Sequence, residues 1–148
     1  MSEQNKSLVR RFVDEIWNKK NIGNLDEFLA PTYSLQTPDG MLRGANEFRQ
    51  YHENYVKAFP DCKLSIDSLI SEGETVVVQA TLTGTHKGAL AGLAPTGKQV
   101  AVKGMCMEKI ARGKLEEGFL VIDRLSLYEQ LGVAPEAIQK MTRKAGGR

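Results

Sequence analysis

The chain has 148 residues, 41% of them hydrophobic and 26% charged, enough to bury one core without help from disulfides or metal. Twenty basic residues against eighteen acidic ones leave a formal charge of +2, too little for a nucleic-acid surface or a polybasic membrane anchor. Residues 134–148 carry Lys140, Arg143, Lys144 and Arg148 against Glu136, so the body before them is slightly acidic. Residues 1–133 are therefore expected to form one domain and 134–148 a basic tail. Cys62 and Cys106 stand far apart, with no zinc or Cys-x-x-Cys spacing, and read as reduced thiols. No apolar leader opens the sequence, and no run of roughly 18 apolar residues occurs in it. The expectation is a soluble cytoplasmic protein without metal, nucleic-acid or membrane partners.

Leu8, Phe12, Val13, Ile16 and Trp17 recur at helical spacing and predict a first amphipathic helix over 3–18. Leu25, Phe28 and Leu29 suggest a short second helix that Pro31 helps to end. Residues 33–36 read as a short extended piece before the Pro38-Asp39-Gly40 turn. Phe48, Tyr51, Tyr55 and Phe59 describe a third helix, closed by Pro60-Asp61. From there the composition turns β-branched and apolar, predicting strands over 63–71, 75–85, 99–111 and 115–123. Helices first and antiparallel strands afterwards indicate an α+β fold, with the helices packed on one face of a curved sheet. Residues 135–142 suit a short helix with Pro at its first position, and 145–148 a frayed end.

If residues 111–114 form a tight turn, Ile110 faces Leu115, and Glu108, Cys106, Gly104 and Val102 face Glu117, Phe119, Val121 and Asp123 on one side of the hairpin. The other side pairs Lys109 with Glu116, Met107 with Gly118, Met105 with Leu120 and Lys103 with Ile122. Its apolar centre and charged rim suit a contact between two copies, so a homodimer through the outer sheet face is expected.

The strings Asn5-Lys6-Ser7-Leu8-Val9-Arg10-Arg11-Phe12, Ile16-Trp17-Asn18, Phe59-Pro60-Asp61, Gly84-Thr85-His86-Lys87-Gly88 and Pro95-Thr96-Gly97-Lys98, followed by Gly113-Lys114, Asp123 and Leu131-Gly132, occur in that order. Together they resemble the SnoaL-like polyketide cyclase (ester cyclase) family of the nuclear transport factor 2-like superfamily. The resemblance implies a cone-shaped α+β fold and an intramolecular aldol closure of a polyketide ester, with neither metal nor organic cofactor. It also implies that Asp123 matches an aspartate acting as general acid/base. The sequence departs from the family pattern at Gln36, where a histidine is common, at Phe119, where a tryptophan is common, and at Glu108, where an aromatic is common. Gln36 can exchange hydrogen bonds but not a proton near neutral pH.

Asp123 ends an apolar strand pattern and immediately precedes a helix, so it reads either as an acid/base in an apolar pocket beside Phe119 and Val121 or as a helix N-cap. His86 closes the second long strand on the same alternating face as Val76, Val78, Ala80 and Leu82. It could enter a pocket mouth and join Asp123 as a catalytic residue, as a hydrogen-bond donor or proton shuttle, or lie exposed. Gln36, Tyr33, His52, Tyr55, Cys106, Phe119 and Glu108 complete the candidate substrate-binding set. Glu108 opposite Glu117 would share a proton if enclosed, or be relieved by water or Lys114 at an open edge. Two functions follow for this chain: acid/base chemistry on a hydrophobic carbonyl compound, or a non-catalytic role on the same fold as a binder of a hydrophobic small molecule or a dimeric interaction module.

Overall fold

The structure, a computed structural model, describes residues 2–145, with side chains described through residue 140. Helix α1, Ser2–Phe12, buries Val9 and Phe12 and runs directly into a π-helical turn, Val13–Asn18, that buries Val13 and Ile16. Within this wider turn Lys19 N–H reaches the Asp14 carbonyl and Asn21 N–H the Glu15 carbonyl, both at 2.8 Å. The carbonyl of Ile16 instead meets the imidazole Nε2 of His52 at 2.7 Å, so a side chain satisfies a backbone group at the helix end.

A 3₁₀ segment, Ile22–Glu27, leads into strands β1, Leu29–Thr37, and β2, Gly40–Arg43. Helix α2, Gly44–Ala58, then precedes β3, Lys63–Glu72, β4, Thr75–Thr85, β5, Gln99–Ala111, and β6, Lys114–Ile122. Helices α3, Arg124–Gln130, and α4, Pro135–Ala145, follow. The predicted short helix ends two residues earlier than its pattern suggests. Leu29 and Pro31 belong to β1, where the register with β6 shifts between Leu29 and Ser34, a stretch in which Pro removes no ladder bond. Residues Gly146 to Arg148 of the expected frayed end lie outside the described residues.

The six strands form one mixed, curved, open sheet in the order β2-β1-β6-β5-β4-β3. β1 runs parallel to β6, and the remaining neighbours are antiparallel. This is the α+β architecture expected, with the additional early hairpin of β1 and β2. Two clusters of buried side chains lie under the helices. Phe12, Ile16, Phe28, Tyr33, Phe48, Val76 and Leu115 belong to one, and Phe59, Val102, Leu127, Tyr128 and Leu131 to the other. Ile138 of α4 joins the second cluster, so the basic segment is anchored by one apolar side chain. Among the described residues no helix is long and apolar enough to cross a membrane.

The hairpin between β5 and β6 positions the site and departs from its predicted register. Arg112 and Gly113 both take positive φ, 53° and 74°, the geometry of a two-residue type I′ turn, and Ile110 faces Leu115 as expected. The next pair is Lys109 with Glu117, so Glu116 is an extra residue on β6. Such a bulge reverses the facing of every later side chain on its strand. Phe119 and Val121 therefore point to the outer face, 52% and 47% exposed. Leu120 and Ile122 turn inward in their place. The predicted pairs of Glu108 with Glu117 and of Cys106 with Phe119 do not form: Glu108 faces Gly118 and Cys106 faces Leu120.

Candidate active site

Between the helices and the sheet lies an apolar cavity of about 130 Å³, large against the roughly 10–15 Å³ that one water molecule needs. Strand alternation directs Tyr33 and Leu35 of β1, Val78 and Leu82 of β4, Cys106 and Glu108 of β5, and Leu120 and Ile122 of β6 toward it. Phe12 and Trp17 close it from the first helical segment, and Phe48, Tyr51 and Tyr55 from α2. The α2 residues fall at i, i+3 and i+7 of one helix, a spacing that lines a single face.

Glu108 is the acidic side chain in this wall, and it is only 5% exposed. Its Oε1 accepts hydrogen bonds from the Tyr33 hydroxyl at 2.9 Å and the Cys106 thiol at 3.3 Å. Its Oε2 is buried without a partner among the described residues. Burial raises the Glu108 pKa from 4.5 to about 7, the Cys106 and Tyr33 hydrogen bonds offsetting part of the rise. The same burial, with the Glu108 charge close by, pushes the Cys106 thiol and the Tyr33 phenol upward, so both remain protonated donors.

Gly118 makes this arrangement possible from the facing strand. A Cβ there would lie 2.6 Å from Leu35 Cδ1, 2.8 Å from Glu108 Oε1 and 2.9 Å from Oε2. Any larger residue would push the carboxyl from its place, so this strand glycine marks a close approach. Glu117 sits across from Lys109 instead, so no carboxylate pair forms.

Of the residues singled out in the sequence, the cavity brings together Tyr33, Tyr55, Cys106 and Glu108. Asp123 is outside it. It is exposed, and its Oδ1 accepts the Ser126 N–H at 3.1 Å, which makes it the N-cap of α3. His86 is fully buried at the base of the loop joining β4 to β5. Its Nδ1 accepts the Thr96 N–H at 3.1 Å and lies 3.0 Å from Thr96 Oγ1, and its ring packs 5.6 Å from that of Phe59. It braces that loop and does not line the cavity. His52 is buried on the helix side, held by Ile16 and by Trp17, whose ring lies 4.7 Å away, and burial lowers its pKa. Gln36 lies on the outer face in a shallow depression with Met41, Met107 and Phe119, and donates weakly to the Thr37 carbonyl at 3.3 Å. The expected pocket of Asp123, Phe119 and Val121 is thus replaced by one around Glu108, because the bulge at Glu116 reverses the outer half of β6.

The model for "SnoaL-like polyketide cyclase" matches residues 7–131. The chain belongs to the SnoaL-like polyketide cyclase family. A candidate polyketide cyclase from Acidithiobacillus ferrooxidans is 30% identical, with 89% of this chain and 96% of that one aligned at a TM-score of 0.80. A candidate SnoaL-like polyketide cyclase from Jannaschia sp. CCS1 is 25% identical over 90% and 95% of the two chains, at 0.83. AclR from Streptomyces galilaeus, described as a candidate hydroxylase, is 27% identical over 91% and 100%, at 0.82. No curated protein matches the sequence. Within this SnoaL-like scaffold, the cavity residues not singled out from the sequence as binding residues include Tyr51 and Trp17, whose helical spacing reads equally well as core. Gly118 was missed as well, although a glycine inside a predicted strand is itself a signal of close approach.

Proposed function

We propose that this member of the family performs acid/base chemistry on a hydrophobic carbonyl compound, with Glu108 as the proton-transferring group. The observation that carries the reading is the unpartnered Glu108 Oε2 in the wall of an apolar cavity, its other oxygen held by Tyr33 and Cys106. A carboxyl poised near pH 7 is suited to both halves of a proton transfer. In an aldol closure, Oε2 takes the proton from the carbon beside one carbonyl. The resulting enolate carbon bonds to a second carbonyl carbon of the same molecule, and the alkoxide formed there recovers the proton from Glu108. Nothing leaves, and the carboxyl returns to its starting state. The surrounding apolar walls hold the flexible chain near its closing geometry.

Deuterium exchange tests this without knowledge of the natural substrate. Incubated in D₂O with 2-tetralone, the protein is expected to accelerate exchange of the protons beside the carbonyl above the buffer rate, and Glu108→Gln to abolish that acceleration. A second reading, a non-catalytic binder on the same scaffold, is favoured by one fact. His86 and His52 both lie outside the cavity lining, so Glu108 has no proton-exchanging histidine beside it there. Tight binding of the ketone without exchange would select the binder.

We also propose that the outer sheet face joins two copies of the chain. Met105, Met107, Phe119 and Val121 form its exposed apolar centre, and Lys109 and Glu117 stand beside them on neighbouring strands. Opposite charges placed this way are self-complementary about a two-fold axis.

A further inference from the structure

Four buried side-chain polar atoms make no well-formed hydrogen bond among the described residues: Ser71 Oγ, His86 Nε2, Glu108 Oε2 and Tyr51 Oη, the last having only a loose contact with the Tyr55 phenol. Two of their residues, Tyr51 and Glu108, line the same cavity, whereas Ser71 and His86 do not. Native interiors seldom leave such atoms unsatisfied, because each costs its desolvation without return. Two of them around one apolar space are what a site shows when its occupant supplies the missing partners.

The two residues reach the cavity from different layers, Tyr51 from α2 and Glu108 from β5. Phe48 packs 6.3 Å from the Tyr33 ring, and the Tyr33 hydroxyl holds Glu108. Tyr51 stands three residues further along α2, roughly 4.5 Å of helical rise beyond Phe48. The charges on that side are already matched. Arg124 donates to Asp39 at 2.7 Å and to the Tyr128 hydroxyl at 2.9 Å, so it offers little to an anionic ligand. Burial, the neighbouring Tyr55 phenol and the loose hydrogen bond that Tyr51 donates to it raise the Tyr51 pKa, which keeps its hydroxyl a neutral donor. An ionised group at the other end would meet the Glu108 carboxyl.

We propose that Tyr51 is a second anchor, so that the cavity selects a neutral, apolar ligand with two oxygen functions: a carbonyl at Glu108 and a hydroxyl or carbonyl oxygen at Tyr51. This rests on the reading of Glu108 as the group that meets the carbonyl. It adds a specificity-determining residue that has no part in the proton transfer.

Calorimetric titration with two rigid probes tests it. 6-Acetyl-2-naphthol carries both oxygens, and 2-acetylnaphthalene only the ketone. The intact chain should bind the naphthol about five- to tenfold more tightly, the worth of one well-placed hydrogen bond. Tyr51→Phe removes a hydroxyl whose only partner is a loose contact with the Tyr55 phenol, and it should fold. It should reduce that preference below about twofold while leaving the affinity for 2-acetylnaphthalene unchanged. Affinity for both probes should fall as pH rises from 6 to 8, and Glu108→Gln should remove that dependence. If the pH dependence is present but Tyr51→Phe leaves the naphthol preference intact, the second anchor is overturned and the Glu108 reading stands. If the pH dependence is absent, the Glu108 reading fails and the two-anchor ligand with it. Absence of binding by either ketone up to its solubility limit overturns both.

Discussion

Burial of Glu108 makes the stability of this protein fall as pH rises through neutrality. The Glu108 carboxyl ionises near pH 4.5 in the unfolded chain and near 7 in the folded one, so between those values the unfolded state releases the proton first. Below about pH 4.5 both states are protonated and the group is neutral in the balance. As pH rises toward 7 and beyond, the folded state must carry a buried charge, and stability falls. At 1.36 kcal/mol for each unit of pKa, the full loss is about 3 kcal/mol. Glu108→Gln keeps an oxygen to accept from Tyr33 and Cys106 and cannot ionise. It places an amide where Oε2 had no partner, at a cost of roughly 1–3 kcal/mol that does not vary with pH. The informative quantity is therefore the difference between the two proteins, measured by urea denaturation from pH 4.5 to 8.5. Relative to the glutamine variant, the parent should lose about 3 kcal/mol over that range, most of it between pH 5 and 7.5. A difference that stays constant with pH would refute the argument, because it would mean that the carboxyl ionises alike in both states. Carbon-detected NMR of the Glu108 carboxyl provides the direct check, with a midpoint near 7 expected.

Asp123→Ala should cost about 1 kcal/mol through loss of the α3 cap, and Asp123→Asn much less. Thermal denaturation measures both, and Asp123→Asn should leave ketone proton exchange intact. Gly118→Ala should destabilise by roughly 1–3 kcal/mol, since its Cβ would overlap Leu35 and the Glu108 carboxyl. It should also shift the NMR midpoint of Glu108, an effect that a remote packing defect would not produce. Light scattering at micromolar concentration should give the mass of a dimer, and Phe119→Glu on the 52% exposed outer position should give that of a monomer without loss of ketone binding. A monomeric mass for the parent chain would remove the outer-face proposal.

The α+β class, the long helices and the four late strands were legible in the sequence because their apolar periods are long and regular. Pro31 misled, because a proline ends a helix and tolerates an interrupted strand equally well, and only pairing with β6 decides between them. The turn at Arg112 and Gly113 was legible, yet the bulge at Glu116 was not. Nothing in Leu115-Glu116-Glu117 distinguishes a regular pair from an extra residue until β5 fixes the register. That one residue moved Phe119 out of the site and put Leu120 in. Glu108 stood out as a carboxylate on an apolar face, but its actual neighbours come from β1 and from Gly118 and are remote in sequence. Asp123 was visible for both of its readings, and the exposed cap geometry is where the structure places it.

The bulge at Glu116 also makes the lining of the cavity a property of strand register. Pairing Glu116 with Lys109 would slide β6 by one residue, carrying Phe119 and Val121 inward and Leu120 and Ile122 outward in one step. Gly118 would be carried to the opposite face with them, and Glu117 would come to stand across from Glu108. A one-residue slip in this hairpin would thus exchange an isolated carboxyl for a facing pair of acids and replace two aliphatic walls, whereas deleting Glu116 would keep Glu117 across from Lys109 and leave the lining as it is.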